Sequence, residues 1–570
     1  MAQFLRSGRC KVAAAASFLL PMTHRSLRSA ATALPLLVVA ACGGSKDMYG
    51  AAPKSAAPAS PAAEYAPDAQ KLADAPPAPP PPPAQPGAVA PSEVALATTA
   101  PEPRGTEGFK DYGVNPFVDT TRTKLSTFSI DVDTASYSFA RRNLLQENRL
   151  PAFAGVRAEE FLNSFDYGYE APAPGRTFAV HFAAAPSPYT PGRHLVRVGV
   201  QAKRVTAAER SPVHLVYLVD TSGSMGGADR IELAKKSLHM LTESLKPGDT
   251  VALCTYAGDT RVVLEPSGDR RAIHAAINGL TTGGGTAMGS GMELAYKLAS
   301  KTLAKGHVNR VVVLSDGDAN IGHASHEQIL ASIARYRDQG ITLSTVGFGS
   351  GNYQDTMMEQ LADKGDGNYS YIDDEAQARK VFVEQVDGLL QVVARDVKIQ
   401  VELDPNVVRR YRLVGYENRH IDNKDFRNDK VDAGEVGAGH AVTALYEVEL
   451  ARTDQSPITL RLRHKPAKNA ANGGSDKATE ERFAMPVKDV HASFAAAPES
   501  YRFAVAVAGF AEVLRQSPHA AEWKLSDVAK IAQAASGAKA ERKELVGLVV
   551  KAAALKGERL ASTPIAPIAK

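Results

Sequence analysis

The stretch Val213 to Met225, VHLVYLVDTSGSM, narrows the folds open to this chain more than any other. Its first half is an apolar run ending at Val219, the pattern of a strand buried on both faces of a parallel sheet. Asp220, Ser222 and Ser224 follow at spacing i, i+2, i+4, which in an extended chain places three oxygens on one side. Gly223 is expected to let the backbone turn among them. One carboxylate and two hydroxyls at the end of a buried strand suit a hard divalent cation, which takes oxygen ligands. Thr286 lies in TTGGGTAMGSG, read as a flexible loop opening a helix at that residue, and Asp316 ends a second apolar strand in RVVVLSDGD. An ordinary reading competes, in which Ser222 or Ser224 caps a helix and Asp316 merely ends a strand.

Taken together, Asp220, Ser222, Ser224, Thr286 and Asp316 resemble the metal-ion-dependent adhesion site of the von Willebrand factor type A domain, which is D-x-S-x-S, a later Thr and a later Asp. The first element alone is weak, because Ser-rich turns are common; all five, in order and at the ends of apolar strands, are specific. FSIDVDTASYS and RAEEFLNSFDY upstream resemble the N-terminal region of bacterial lipoproteins that carry this domain. GYENR and DAGEVGAGHAVTALYEVEL downstream resemble their C-terminal region of unknown function. The resemblance covers roughly residues 107–560 and implies a magnesium-dependent adhesion site.

Residues 1–42 read as a lipoprotein signal peptide. His24, Arg25 and Arg28 precede the apolar run ALPLLVVAA, and Val39-Ala40-Ala41-Cys42 resembles a lipobox, whose cysteine is lipidated. Met1 and Met22 are both candidate starts, and a plain signal peptide or a single span are the competing readings, although the run is short for a span. Residues 43–106 are Ala/Pro-rich, with PPAPPPPPAQP at their centre, a composition that buries no core and favours polyproline II. At ~3.1 Å per residue, roughly 60 such residues reach up to ~190 Å.

The fold class expected is α/β: a doubly wound, mostly parallel sheet inserted in a β-sandwich, with helical N- and C-terminal parts. Residues 107–172 read as an N-terminal von Willebrand-associated region and 211–394 as the type A domain, where strand and helix alternate. The strands of 173–210 are too few for a sheet with its own core, so they are expected to pair with those of 395–490. Residues 491–570 read as a helical region, with the single tryptophan, Trp523, in its core. Asp131 and Asp133 could serve as a second pair of cation ligands, but read better as exposed alternates on a strand.

Composition removes several function classes. A net charge of +4 over 570 residues, with no basic block interleaved with aromatics, gives no footprint for nucleic acid. Of the three cysteines, Cys10 and Cys42 fall in or beside the signal and Cys254 sits in the apolar strand TVALCTYA, so no disulfide framework exists and Cys254 reads as a buried thiol. His214, His323 and His326 lack metal-ligand spacing, and H-E-x-x-H, G-x-S-x-G and P-loop motifs are absent, which leaves an enzyme little support. The function expected is that of a non-enzymatic lipoprotein of the bacterial cell envelope, at the outer membrane or facing the periplasm. It would be membrane-anchored through lipid on Cys42 and would bind a protein ligand presenting an Asp or Glu carboxylate. The ion expected is Mg²⁺, with Mn²⁺ or Ca²⁺ as alternatives, because few, short oxygen ligands suit a small octahedral cation. The rivals are a scaffold in envelope assembly with a purely structural metal, and a metal-dependent hydrolase.

Overall fold

The computed structural model of the chain describes residues 108–130, 133–206, 208–317, 326–350, 353–467 and 476–558. Cys10, Cys42, Asp131 and His323 lie outside the described residues. Strands β1 (Val118–Asp119) and β2 (Leu125–Ser129) come first, then helices α1 (Ala135–Leu145) and α2 (Ala158–Asn163) and the hairpin β3 (Phe178–Pro186) and β4 (His194–Ala202). The alternating segment follows: β5 (Val213–Asp220), α3 (Ile231–Glu243), β6 (Thr250–Tyr256), β7 (Thr260–Ser267), α4 (Arg270–Asn278), α5 (Met288–Lys301) and β8 (Val308–Ser315). It continues through α6 (His326–Asp338), β9 (Ile341–Gly347), α7 (Asp355–Lys364), β10 (Tyr369–Tyr371), α8 (Glu375–Arg379) and α9 (Val386–Leu390). Last come β11 (Val392–Leu403), β12 (Val408–Val414), β13 (Val436–Gly437), β14 (Ala441–Leu450), β15 (Ile458–Pro466), β16 (Thr479–Ala484), α10 (Glu499–Leu514), α11 (Leu525–Ala534) and α12 (Ala540–Leu555).

The alternating segment forms one sheet in the order β10-β9-β8-β5-β6-β7. Every pairing in it is parallel except that of β7 with β6. The two strands that lead to Asp220 and Asp316, β5 and β8, are central neighbours, with Val219 opposite Leu314. Period-two alternation sends Leu215, Tyr217 and Val219 to the face covered by α3, and Val216 and Leu218 to the face covered by α5. Both layers are dry, as the apolar run requires.

Two further sheets stack as a sandwich. One has the order β1-β12-β14-β4-β3; the other has β13-β11-β15-β16 with β2 on the free side of β11. Val196, Val198 and Val200 of β4 and Val442, Ala444 and Tyr446 of β14 meet Ile399 and Val401 of β11 and Leu460 and Leu462 of β15. β4 pairs with β14 along its length, so strands before and after the alternating segment share one sheet, and that segment is an insertion between β4 and β11.

The described residues from 108 to 172 pack against both the sandwich and the inserted sheet. β1 pairs with β12, β2 pairs with β11, and Ala135 and Phe139 of α1 enter the α5-side core of the inserted sheet. So short a segment has too little apolar surface to bury against itself. The C-terminal helices likewise cover the outer face of the β4–β14 sheet, where Phe503 and Phe510 of α10 join Leu195, Leu445 and Phe161. Trp523 is half-buried at the rim, stacked on Tyr189 at 4.5 Å, rather than central. Asp133 is buried, not exposed: it accepts from the Tyr369 amide at 3.0 Å and from Arg419 at 3.2 Å.

Beneath α10 lies a dry ionic cluster. Arg412 of β12 donates to Glu447 of β14 at 2.8 Å and to Glu512 of α10 at 2.9 Å, with all three side chains inaccessible. Removing one member of such a cluster leaves charge buried without its partner. Arg412→Met is therefore expected to lower stability by ~3–5 kcal/mol, whereas Arg452→Met, in the exposed pair with Asp454, should change it by less than ~1 kcal/mol. Urea unfolding followed by circular dichroism checks both.

Candidate functional site

The carboxyl ends of β5 and β8 meet at one edge of the inserted sheet, the place where parallel α/β sheets present ligand sites. Asp220 is the last residue of β5 and is fully buried. The backbone N–H of Ser222 donates to its Oδ1 at 2.9 Å and the Ser315 hydroxyl to its Oδ2 at 3.0 Å. Ser222 Oγ and Ser224 Oγ stand 3.0 Å apart across the short 3₁₀ turn Gly223–Met225. Asp316, next after β8, is also buried. Burial pushes the Asp220 carboxyl up to about 6; the neighbouring Asp316 charge adds to the rise, and the bonds from Ser222 and Ser315 oppose it.

The loop carrying Thr286 is sewn to this turn by backbone bonds. The Gly223 amide donates to the Gly284 carbonyl at 3.1 Å and the Gly283 amide to the Thr221 carbonyl at 2.8 Å, while the Thr221 amide donates to Tyr256 at 2.9 Å. The left-handed conformation falls on Gly284, at φ +85, and not on Gly223. Helix α5 starts at Met288, so Thr286 stays in the loop, half-exposed, rather than opening the helix. The fold thus gathers Asp220, Ser222, Ser224, Asp316 and the Thr286 loop at one edge.

Two neighbours escaped the sequence reading. Ser315 precedes Asp316 and looks like an ordinary strand residue. Arg230 donates to the Ser224 carbonyl at 2.5 Å and lies 4.0 Å from Asp316 Oδ2. A signal for it did exist: it occupies the N-cap position of α3, where a short polar residue is usual.

The remaining candidates fall elsewhere. Cys254 is fully buried in β6, and burial raises its thiol to about 12. His214 pairs with His307, and His326 with Gln360. Among the described residues no three His, Cys, Asp or Glu side chains gather to hold a metal, so the site reaches a useful donor count only through hydroxyls. Among the same residues no helix is long and apolar enough to cross a membrane.

Residues 214–385 match the family model of the von Willebrand factor type A domain, 103–197 that of von Willebrand factor, and 388–555 that of the C-terminal part of the uncharacterized protein YfbK. Over 468 residues the chain is 37% identical to the uncharacterized protein YfbK of Escherichia coli, covering 78% of this chain and 80% of that one. The chain belongs to the YfbK family of von Willebrand factor type A domain proteins. A second relative, the uncharacterized protein sll0103 of Synechocystis, is 29% identical over 212 residues, or 37% of this chain and 49% of its own. Among solved structures, a von Willebrand factor type A protein from Catenulispora acidiphila aligns over 67% of this chain and 91% of its own, at 17% identity and a TM-score of 0.40. Membership of the YfbK family gives the inserted sheet the type A fold, and with it a role in protein interaction.

Asp220 holds its proton more tightly folded, at about 6, than at the ordinary value of 3.8. The folded state therefore binds more protons between these values, and stability without metal falls as pH rises through that window, by ~2–3 kcal/mol in all. Asp220→Asn should lack this component. Urea titrations of both chains in chelator at several pH values between 4 and 7 measure the difference (pH range set by the ~4–6 window).

Proposed function

We propose that this protein binds a partner protein through a Mg²⁺ ion held by Asp220, Ser222, Ser224, Thr286 and Asp316. The observation that carries the reading is the 3.0 Å separation of the two serine hydroxyls beside two buried carboxylates. Octahedral bonds of about 2.0–2.1 Å set neighbouring oxygens ~2.9 Å apart, which this pair matches. Ser222 and Ser224 are suited to bind directly and Thr286 directly or through water. Asp220, whose oxygens already accept from Ser222 and Ser315, can hold ordered water as well as bind directly. Neutral hydroxyls leave the cation's charge only partly balanced, so a carboxylate from outside is the natural last ligand. The raised affinity of Asp220 for a proton supports the same reading, because a site that holds its charge at a cost gains from a cation. Serving as a pure scaffold would require no such poised edge.

The test is calorimetric titration of the purified chain with Mg²⁺, alongside retention of envelope proteins on the immobilised chain. Asp220→Ala and Asp316→Ala should each weaken Mg²⁺ at least tenfold, since a buried charged contact is worth a few kcal/mol. Circular dichroism should stay native, because both residues lie at or past strand ends. Partner retention should fall in EDTA and return with Mg²⁺. Retention that ignores EDTA and both variants would mean the protein works as a scaffold.

The reading places the protein at the cell envelope, anchored through Cys42, because a lipobox there precedes a Pro-rich spacer. Cys42→Ser should release the protein from the membrane fraction or leave its signal uncleaved. Unchanged mass and unchanged membrane retention would remove the anchor from the account.

A further inference from the structure

Arg230 stands where a helix does not want a cation. It takes the N-cap position of α3, its side chain makes no capping bond, and the positive end of the helix dipole opposes its charge. Something other than the helix must hold it there. Its Nη1 donates to the Ser224 carbonyl at 2.5 Å, its Nη2 to the Ser350 carbonyl at 2.7 Å, and Nε is buried with no hydrogen-bond partner among the described residues. Both hydrogen bonds go to neutral carbonyls, and among the described residues the carboxylate within ion-pair range is that of Asp316, with Oδ2 at 4.0 Å from Nη1.

The seat for this guanidinium is built. Gly349 lies flat against it: a Cβ there would stand 2.3 Å from Nε, and the residue has φ +74, so both space and backbone call for glycine. The Gly349 carbonyl is itself fixed by Arg142 of α1, at 2.8 Å, and by the Tyr371 hydroxyl. The side chain of Arg230 is still 24% exposed, so its charge reaches solvent at the rim of the site.

We propose that Arg230 is the specificity-determining cation of this edge, leaving the metal-loaded centre one positive charge in excess and so selecting an anionic ligand over a neutral one. The inference rests on the metal reading above. Among the described residues the buried carboxylates at this edge are Asp220 and Asp316, which balance a dication; the guanidinium is the surplus. Its field acts with opposite sign on the two guests of the site. It repels the incoming metal ion and attracts the carboxylate that follows. A residue that only strapped the Ser224 and Ser350 loops together would support both.

The experiment uses the full chain with Mn²⁺ as the metal and acetate as the ligand probe. Electron paramagnetic resonance counts free Mn²⁺, and relaxation of the acetate methyl protons by bound Mn²⁺ reports the anion; acetamide serves as the neutral control. A unit charge at this range in a half-exposed site is worth about three- to tenfold in binding. Arg230→Met should therefore tighten Mn²⁺ and weaken acetate, each by about three- to tenfold, and leave acetamide unchanged. Arg230→Lys keeps the charge and loses the planar fork, and should stay near the native values for both guests. If the native chain takes up no Mn²⁺, the metal reading fails and this inference with it. If the native chain takes up Mn²⁺ but Arg230→Met leaves both constants in place, or weakens both together, only the present inference is overturned.

Discussion

Asp220 and Asp316 lie at the ends of adjacent central strands, both buried, and burial, with the neighbouring Asp316 charge adding to it, works against charge on Asp220. Two carboxylates held in a dry place are the constraint around which the edge of the sheet is arranged. The Ser315 hydroxyl and the Ser222 amide donate to Asp220, and Arg230 sits within reach of Asp316. The glycine loop bearing Thr286 closes over the turn through backbone bonds that leave its hydroxyl uncommitted to the strand ladder. None of these groups neutralises two charges fully. A divalent cation would, and the hydroxyl spacing suits a small one.

The inserted sheet is not tethered to the sandwich by its two chain crossings alone. Arg157 at the start of α2 donates to Asp355 of α7 at 2.7 Å, Arg141 of α1 to Asp373 at 2.8 Å, and Arg419 to Glu359 at 3.0 Å. These pairs are largely buried, so their geometry is fixed and breaking one would leave charge unpaired. Burial pushes Glu359 up to about 7 even with Arg157 and Arg419 beside it. Helix α1, from outside the inserted segment, supplies both Arg141 and the Arg142 that fixes Gly349 beneath Arg230. The N-terminal part of the chain thus reaches the candidate site through one intermediate layer.

What could be read from the sequence was local and periodic. The run through Val219 announced a doubly buried strand, D-x-S-x-S announced the turn, and the alternation of strand and helix announced the parallel sheet. The pairing of the strands on either side of the insertion was also legible, but side-chain contacts between distant segments were not. Asp133 looks like the exposed alternate of a strand and is buried where Arg419 and the Tyr369 amide, far along the chain, come to meet it. Trp523 has the composition of a core residue, but the core beneath α10 is already filled by Phe503, Phe510 and Phe161, which leaves the indole at the rim. The strand-ending Ser315 and Arg230, at the start of α3, matter through neighbours that no spacing rule connects.

Anomalous diffraction from crystals of the full chain grown with Mn²⁺ would locate the ion. A peak is expected at coordination distance from both Ser222 Oγ and Ser224 Oγ, beside Asp220, Asp316 and Thr286, and it should vanish in Asp316→Ala crystals. Crystals in which these side chains keep the present arrangement, and in which Mn²⁺ density appears only elsewhere or not at all, would contradict a metal site at this edge.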